Sequence, residues 1–172
     1  MMQMLAAGGM PVLVDEFRKP DEHNPRGYFE YARALNLGGK DETTDWVADA
    51  RAKAVKVIAY QLQHLPATFE YRVIFMKRKI AEVLASWSKM GLTRADVKLS
   101  EREQILAFKT EYAIYEARLV RQKNVRVLFV QYNDLLASPR EQIARVREFL
   151  GASLDVEAMR AAIDPALYRN RL

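Results

Sequence analysis

The chain contains no cysteine, which excludes disulfides, thiolate nucleophiles and every metal site built on sulfur. Histidine is nearly as scarce. His23 and His64 are the two among 172 residues and lie far apart in sequence, so a histidine-rich metal centre is not expected and no metal ligands are assigned. Seven glycines and six prolines are too few for a fibrous or low-complexity chain. No apolar run approaches the roughly 18 to 20 residues of a membrane span. The stretch from Met1 to Val14 carries no basic segment ahead of its apolar residues. The expectation is a soluble, unprocessed, cytoplasmic protein with no membrane span.

What is present is ordinary globular material: half the residues are apolar or aromatic and 28% are charged. At this length a single core can bury roughly 70% of the surface the unfolded chain exposes, so one domain over residues 1–172 is expected. A net charge of +5 turns the choice of partner toward anions: a nucleotide phosphate, an acidic substrate, nucleic acid or an anionic surface. The basic clusters Lys77 to Lys79 and Arg118 to Lys123 lack interleaved aromatics and a groove-reading motif, which argues against nucleic acid.

Along the chain, Met1 to Ala7 is rich in helix formers and stops at Gly8 and Gly9, as a helix C-terminus does. Pro11 to Val14 and Ala54 to Ile58 read as short strands, the second with Lys56 inside it. The polar stretch from Asp15 to Arg26 reads as a loop. Val73 to Met76 is a continuous apolar run of the kind covered on both faces. A helix follows at once, with Ile80, Val83, Leu84 and Trp87 on one side. Ser100 and Glu103 form a capping box for a second helix, whose apolar positions are Ile105, Phe108, Tyr112, Tyr115 and Leu119. Val125 to Val130 is another buried-type strand, and Ser138-Pro139-Arg140-Glu141 opens a helix that runs to Gly151. Strand, helix, strand, helix, with connections too long for hairpins, predicts an α/β domain: a mostly parallel sheet flanked by helices.

Ligands of open parallel sheets gather beyond the carboxyl ends of the strands. Arg78 stands at such an end, and Ser86 lies eight residues on, about two helical turns into the next helix. Folded back, the guanidinium and the hydroxyl can hold one phosphate. A solvated strand end and a serine packed on a helix face satisfy the same spacing.

The segment from Arg72 to Ser86 resembles the 3′-phosphate-binding segment of sulfotransferases, in which a strand ends in an arginine and a serine follows eight residues later. Val127 to Leu136 with Pro139, and then Glu148 to Gly151, resemble the late strand of that family, its Tyr-Glu-Asp-Leu element and the helix behind it, with Asn133 in place of the usual acid. Asn24-Pro25-Arg26-Gly27-Tyr28-Phe29-Glu30 is similar to a loop common among bacterial members. The resemblance implies a P-loop NTPase-like fold of the sulfotransferase type, with 3′-phosphoadenylyl sulfate as donor and Arg78 and Ser86 as donor-binding residues. It also implies Lys56 as a catalytic lysine that stabilises charge on the oxygen bridging to the departing phosphate; a strand-end lysine reaching solvent is the plain alternative.

The departures matter as much. The first strand of that family and its Pro-Arg-Ser-Gly-Thr-type loop belong immediately before Met1, so the domain is expected to be N-terminally incomplete and its activity impaired. Where the family carries a catalytic histidine, this chain has Ile58. His64 sits too close to Arg78 in sequence to replace it, and Glu30 or Asp15 are carboxylates that could serve as the base. Arg169 and Arg171 form a basic tail that either closes over a nucleotide or frays in solvent. The polar stretch Asp15 to Asn24 and the segment Leu92 to Leu99 are candidate walls of an acceptor pocket. The expectation is therefore transfer of a sulfuryl group to an unknown hydroxyl or amine on a small molecule or glycan, with a noncatalytic, degenerate binding module as the alternative.

Overall fold

A computed structural model describes residues 1–22, 24–89 and 99–168. His23, Arg169, Arg171 and the part of the expected pocket wall from Leu92 to Lys98 lie outside the described residues.

Two strands, β1 (Tyr71–Lys77) and β2 (Val125–Gln131), run parallel in continuous register from Tyr71 opposite Val125 to Lys77 opposite Gln131. Their apolar residues point alternately to two faces, because successive strand side chains must. On one face the register pairs Ile74–Leu128 and Met76–Val130 meet Ile143 and Val146 of a helix that spans Pro139–Leu150. On the other, the pair Phe75–Phe129 packs edge-on with ring centroids 5.7 Å apart, and Phe75 meets Tyr112 of the long helix Glu101–Arg121 at 6.0 Å. Coverage on both faces is what an unbroken apolar run demands. The α/β expectation of a parallel sheet flanked by helices holds, with two strands among the described residues.

The helices, in chain order, are α1 (Met2–Ala7), α2 (Ala32–Leu35), α3 (Trp46–Asp49), α4 (Ile80–Lys89), α5 (Glu101–Arg121), α6 (Tyr132–Ala137), α7 (Pro139–Leu150) and α8 (Val156–Ala161). Short 3₁₀ helices cover Ala59–His64 and Pro165–Leu167. The helix α5 starts where the capping box places it: Ser100 accepts from the Glu103 amide, and Glu103 Oε2 accepts from the Ser100 amide at 2.8 Å. Gly151 ends α7 in the left-handed region at φ 60°, which a glycine adopts without the Cβ clash other residues meet. The main core joins α1, β2, α6, α7 and α8 through Met4, Leu5, Val130, Leu135, Ile143, Val146, Leu154 and Met159. A second, smaller cluster gathers Ala34, Leu37, Trp46 and Val47 beneath the N-terminal loops.

Two of the expected strands shrink. Pro11 to Val14 and Ala54 to Ile58 meet only in an isolated parallel bridge, Val12 opposite Ala54, with Ala54 N–H donating to Pro11 O at 2.8 Å and Leu13 N–H to Ala54 O at 2.9 Å. Pro11 has no N–H with which to extend the ladder, and among the described residues no strand pairs with the chain beyond Ala54. Val55 and Val57 still point inward onto the second cluster while Lys56 points away from it. Ser138 differs as well. Its side chain makes no capping hydrogen bond at the start of α7, because its backbone closes α6 instead, its N–H donating to Asp134 O at 2.8 Å.

Candidate active site

The connection from β1 to α4 is two residues long, Arg78 and Lys79. So short a joint holds the Arg78 side chain at the strand end, beside the first turn of α4. There Arg78 Nε donates to Glu82 Oε2 at 2.9 Å, an i,i+4 pair. Glu82 is fully buried, at 0% exposure. A buried carboxylate needs several donors, and two more arrive from distant places in the chain. Tyr168, following the 3₁₀ helix Pro165–Leu167, donates a hydrogen bond from its hydroxyl to Glu82 Oε1. Asn133, in the first turn of α6, donates from Nδ2 to Glu82 Oε1 at 3.3 Å and to the Tyr168 hydroxyl at 2.8 Å. Lys79 Nζ stands 3.9 Å from the same carboxylate oxygen.

Aromatic rings complete the enclosure. The Arg78 guanidinium carbon lies 5.0 Å from the Tyr132 ring centroid and 5.6 Å from that of Tyr168, and those two rings meet edge-on at 5.7 Å. A cation flanked by the negative faces of two rings is held in place and keeps its charge. Burial pushes the Glu82 carboxyl up, but the hydrogen bonds from Tyr168, Arg78 and Asn133 and the Arg78 charge outweigh it, so the net shift is below the ordinary carboxylate value. The Glu82 hydrogen bond in turn holds the Tyr168 phenol above its usual value. Among the described residues, an ionised Glu82 carboxylate therefore holds the Arg78 guanidinium, with Asn133 as a neutral neighbour. An acid at 133 would set a second negative charge against Glu82.

Ser86 lies four residues beyond Glu82 on α4, so Arg78, Glu82 and Ser86 follow one another at four-residue intervals along one side of the strand-helix unit. Ser86 is half-buried. Of the basic triplet at the strand end, Lys77 is engaged with Glu116 of α5 at 2.7 Å and lies over the Phe129 ring.

Lys56 belongs to a second constellation. Its Nζ donates to Glu30 Oε1 at 2.8 Å and to Tyr28 O at 3.2 Å. Arg18 stacks on the Tyr28 ring at 3.4 Å and stands 4.0 Å from Glu30 Oε2. The Glu30 side chain is only 10% exposed. It is aimed by an unusual backbone: Phe29 adopts φ 52°, a left-handed conformation that is sterically costly for a residue with a large side chain. Asp15, the other carboxylate singled out from sequence, is occupied structurally. One oxygen accepts from the Phe17 amide at 3.0 Å and the other from the Ala32 amide at 2.7 Å, which satisfies an end of α2. His64 is exposed and its ring lies against Gly38, where any Cβ would collide with it. Arg26 fastens the Asn24-to-Glu30 loop to the C-terminal region through Asp164 at 2.7 Å and Ala162 O at 3.1 Å.

Sequence reasoning singled out Arg78, Ser86 and Lys56. It missed Glu82, Tyr168 and the function of Asn133 as a donor. The i,i+4 spacing of Arg78 and Glu82 was the available signal for the first; nothing local signals Tyr168, which is 86 residues from its partner. Among the described residues no group of three His, Asp or Glu side chains could hold a metal ion, and no helix is long and apolar enough to cross a membrane.

Comparison with known proteins gives one family. The model described as "Sulfotransferase family" matches residues 18–156, which spans both constellations except Tyr168. No curated protein and no solved structure matches. A match over so much of the chain places it in that family: the chain belongs to the sulfotransferase family.

Proposed function

We propose that this member of the sulfotransferase family moves a sulfuryl group from 3′-phosphoadenylyl sulfate to a hydroxyl or amine of a small molecule or glycan. Family membership implies a sulfate donor and an acceptor. The finer assignment rests on one observation, an arginine held by a buried carboxylate and two aromatic rings at the carboxyl end of a parallel strand. Such a group is an anion site in waiting, because its orientation is already fixed when the ligand arrives. Arg78 and Ser86 are the residues we assign to the 3′-phosphate of the donor, Glu82 and Asn133 to positioning Arg78.

The reaction is an in-line displacement. The acceptor oxygen or nitrogen forms a bond to sulfur as the bond from sulfur to the phosphate oxygen breaks; the acceptor proton leaves to a base, and the electron pair of the broken bond stays on the departing phosphate. Lys56 is the cation we assign to that developing charge. Glu30, nearly buried and 2.8 Å from Lys56, is the carboxylate we place as base, since Asp15 is tied up by backbone amides. Neither described strand-to-helix junction contains a glycine with which to wrap a phosphate in backbone amides. Transfer by this chain alone is accordingly impaired on our reading, and residues 1–172 act as one domain whose strongest retained property is nucleotide binding.

The same glycine-free junctions favour a second reading, a noncatalytic module that binds an anion without transferring sulfate. Transfer of labelled sulfate from the donor to a mixed panel of phenols and sugars separates the two. Turnover that Glu30→Gln lowers at least about 100-fold, within the range removing a general base produces, with nucleotide affinity unchanged, supports the enzyme. Absence of turnover alongside intact nucleotide binding supports the module.

A further inference from the structure

The long helix α5 is apolar on both sides. Phe108, Tyr112 and Leu119 face the sheet and its neighbours, as the aromatic contacts and the burial of Leu119 show. On the opposite side, where a surface helix ordinarily carries charge, stand Leu106, Ile114 and Val120, exposed at 64%, 56% and 65%. Ala107, Thr110 and Ala117 lie between them, all exposed, so that the face is nearly without charge along its middle. A shallow groove runs beside it. Charge borders it, with Glu111 lining the groove toward the start and Arg118 toward the finish, while Glu103 and Arg121, both exposed, stand on this same face at its two ends. They are 18 residues apart, about 27 Å along the helix.

We propose that this face of α5 is covered by the same face of a second copy of the chain, the two helices running antiparallel about a two-fold axis at the height of Tyr112. The pattern of charge selects both the occupant and the direction. Reflected about Tyr112, position 103 falls on 121, 107 on 117 and 110 on 114. Each Glu103 then meets the Arg121 of the other copy, Ala107 packs on Ala117, and Thr110 packs on Ile114. A parallel pair would set Glu103 against Glu103 and Arg121 against Arg121. The antiparallel arrangement also opposes the helix dipoles favourably, and a two-fold axis closes the assembly at two copies. Leu106 and Val120 come together on one flank of the seam. On the other flank Glu111 remains in water with its carboxylate accepting from the Tyr115 hydroxyl.

The absence of cysteine makes the arrangement directly testable, since each introduced thiol is unique. In the full chain, Ala113→Cys stands next to its own symmetry mate and is expected to cross-link with a short bis-maleimide. Ala107→Cys alone is separated from its mate by about 15 Å along the axis and should not, whereas a mixture of Ala107→Cys and Ala117→Cys chains should. Sedimentation velocity supplies the second readout. Wild type should sediment as a dimer, and Arg121→Glu, which leaves the cap between Ser100 and Glu103 intact, should weaken the dimer at least tenfold. A wild-type chain that is monomeric at 100-fold the concentration used for cross-linking overturns the proposal. So does cross-linking of Ala107→Cys to itself as readily as Ala113→Cys, or an Arg121→Glu chain that dimerises as tightly as wild type. Protection of the thiol at 113 in a monomeric chain would mean that something other than a second copy covers the face, and also overturns it.

Discussion

Arg78 and Glu82 sit four residues apart, yet the partners that make the pair matter come from residues 132, 133 and 168. Replacing Glu82 with glutamine keeps the shape and removes the buried charge that pairs with Arg78, while the two flanking rings remain. The expected loss is about 2 kcal/mol, or roughly 5 °C in melting temperature for a chain of this size. The pH dependence follows from the sign of the shift. Because the folded-state value lies below the ordinary 4.5, the stabilisation is complete above that value and is lost as pH falls through the lowered one. Melting curves of wild type should therefore drop on acidification below pH 4.5 more steeply than those of Glu82→Gln, and the two should converge at the acid end. Asn133→Asp tests the neighbour. With a second carboxylate beside Glu82 it should destabilise at neutral pH and recover partly on acidification, and a neutral-pH melting temperature equal to wild type would contradict the assigned contacts. At this scale the sequence exposes a residue when its chemistry is local. Arg78 ends an apolar run and Lys56 alternates with Val55 and Val57, so both announce themselves, whereas a glutamate in the first turn of a helix reads as an ordinary solvated residue favoured by the dipole.

Among the elements, those with boundary chemistry written into adjacent residues came out where expected. The capping box at Ser100 and Glu103 begins α5, and Gly151 ends α7. Ser100→Ala should cost about 1 kcal/mol, visible as a lower melting temperature with unchanged helix content at low temperature. Gly151→Ala should cost about 1 kcal/mol through its positive φ; a stabilising effect would mean that the turn is not left-handed. The elements that sequence overstated are the two short strands. An apolar run such as Pro11 to Val14 shows that a segment prefers extended backbone. It does not show whether a neighbour will offer its amides, which is a long-range matter. Hence the reduction to a single bridge between Val12 and Ala54, and hence also the short helices α2, α3, α6 and α8, held by tertiary packing rather than by any periodic signal long enough to read.

Over the whole molecule, a basic chain of the sulfotransferase family carries Arg78 at the carboxyl end of a parallel pair of strands, the place where ligands of such sheets gather. Isothermal titration calorimetry of the full chain with 3′-phosphoadenosine 5′-phosphate and with adenosine 5′-phosphate tests this most directly, because the two ligands differ only in the group assigned to Arg78. Wild type should prefer the 3′-phosphorylated nucleotide by about 10- to 100-fold, the worth of a charge-assisted contact. Arg78→Ala should lose that preference and Arg78→Lys keep part of it. A folded Arg78→Ala chain that retains the full preference would contradict the site.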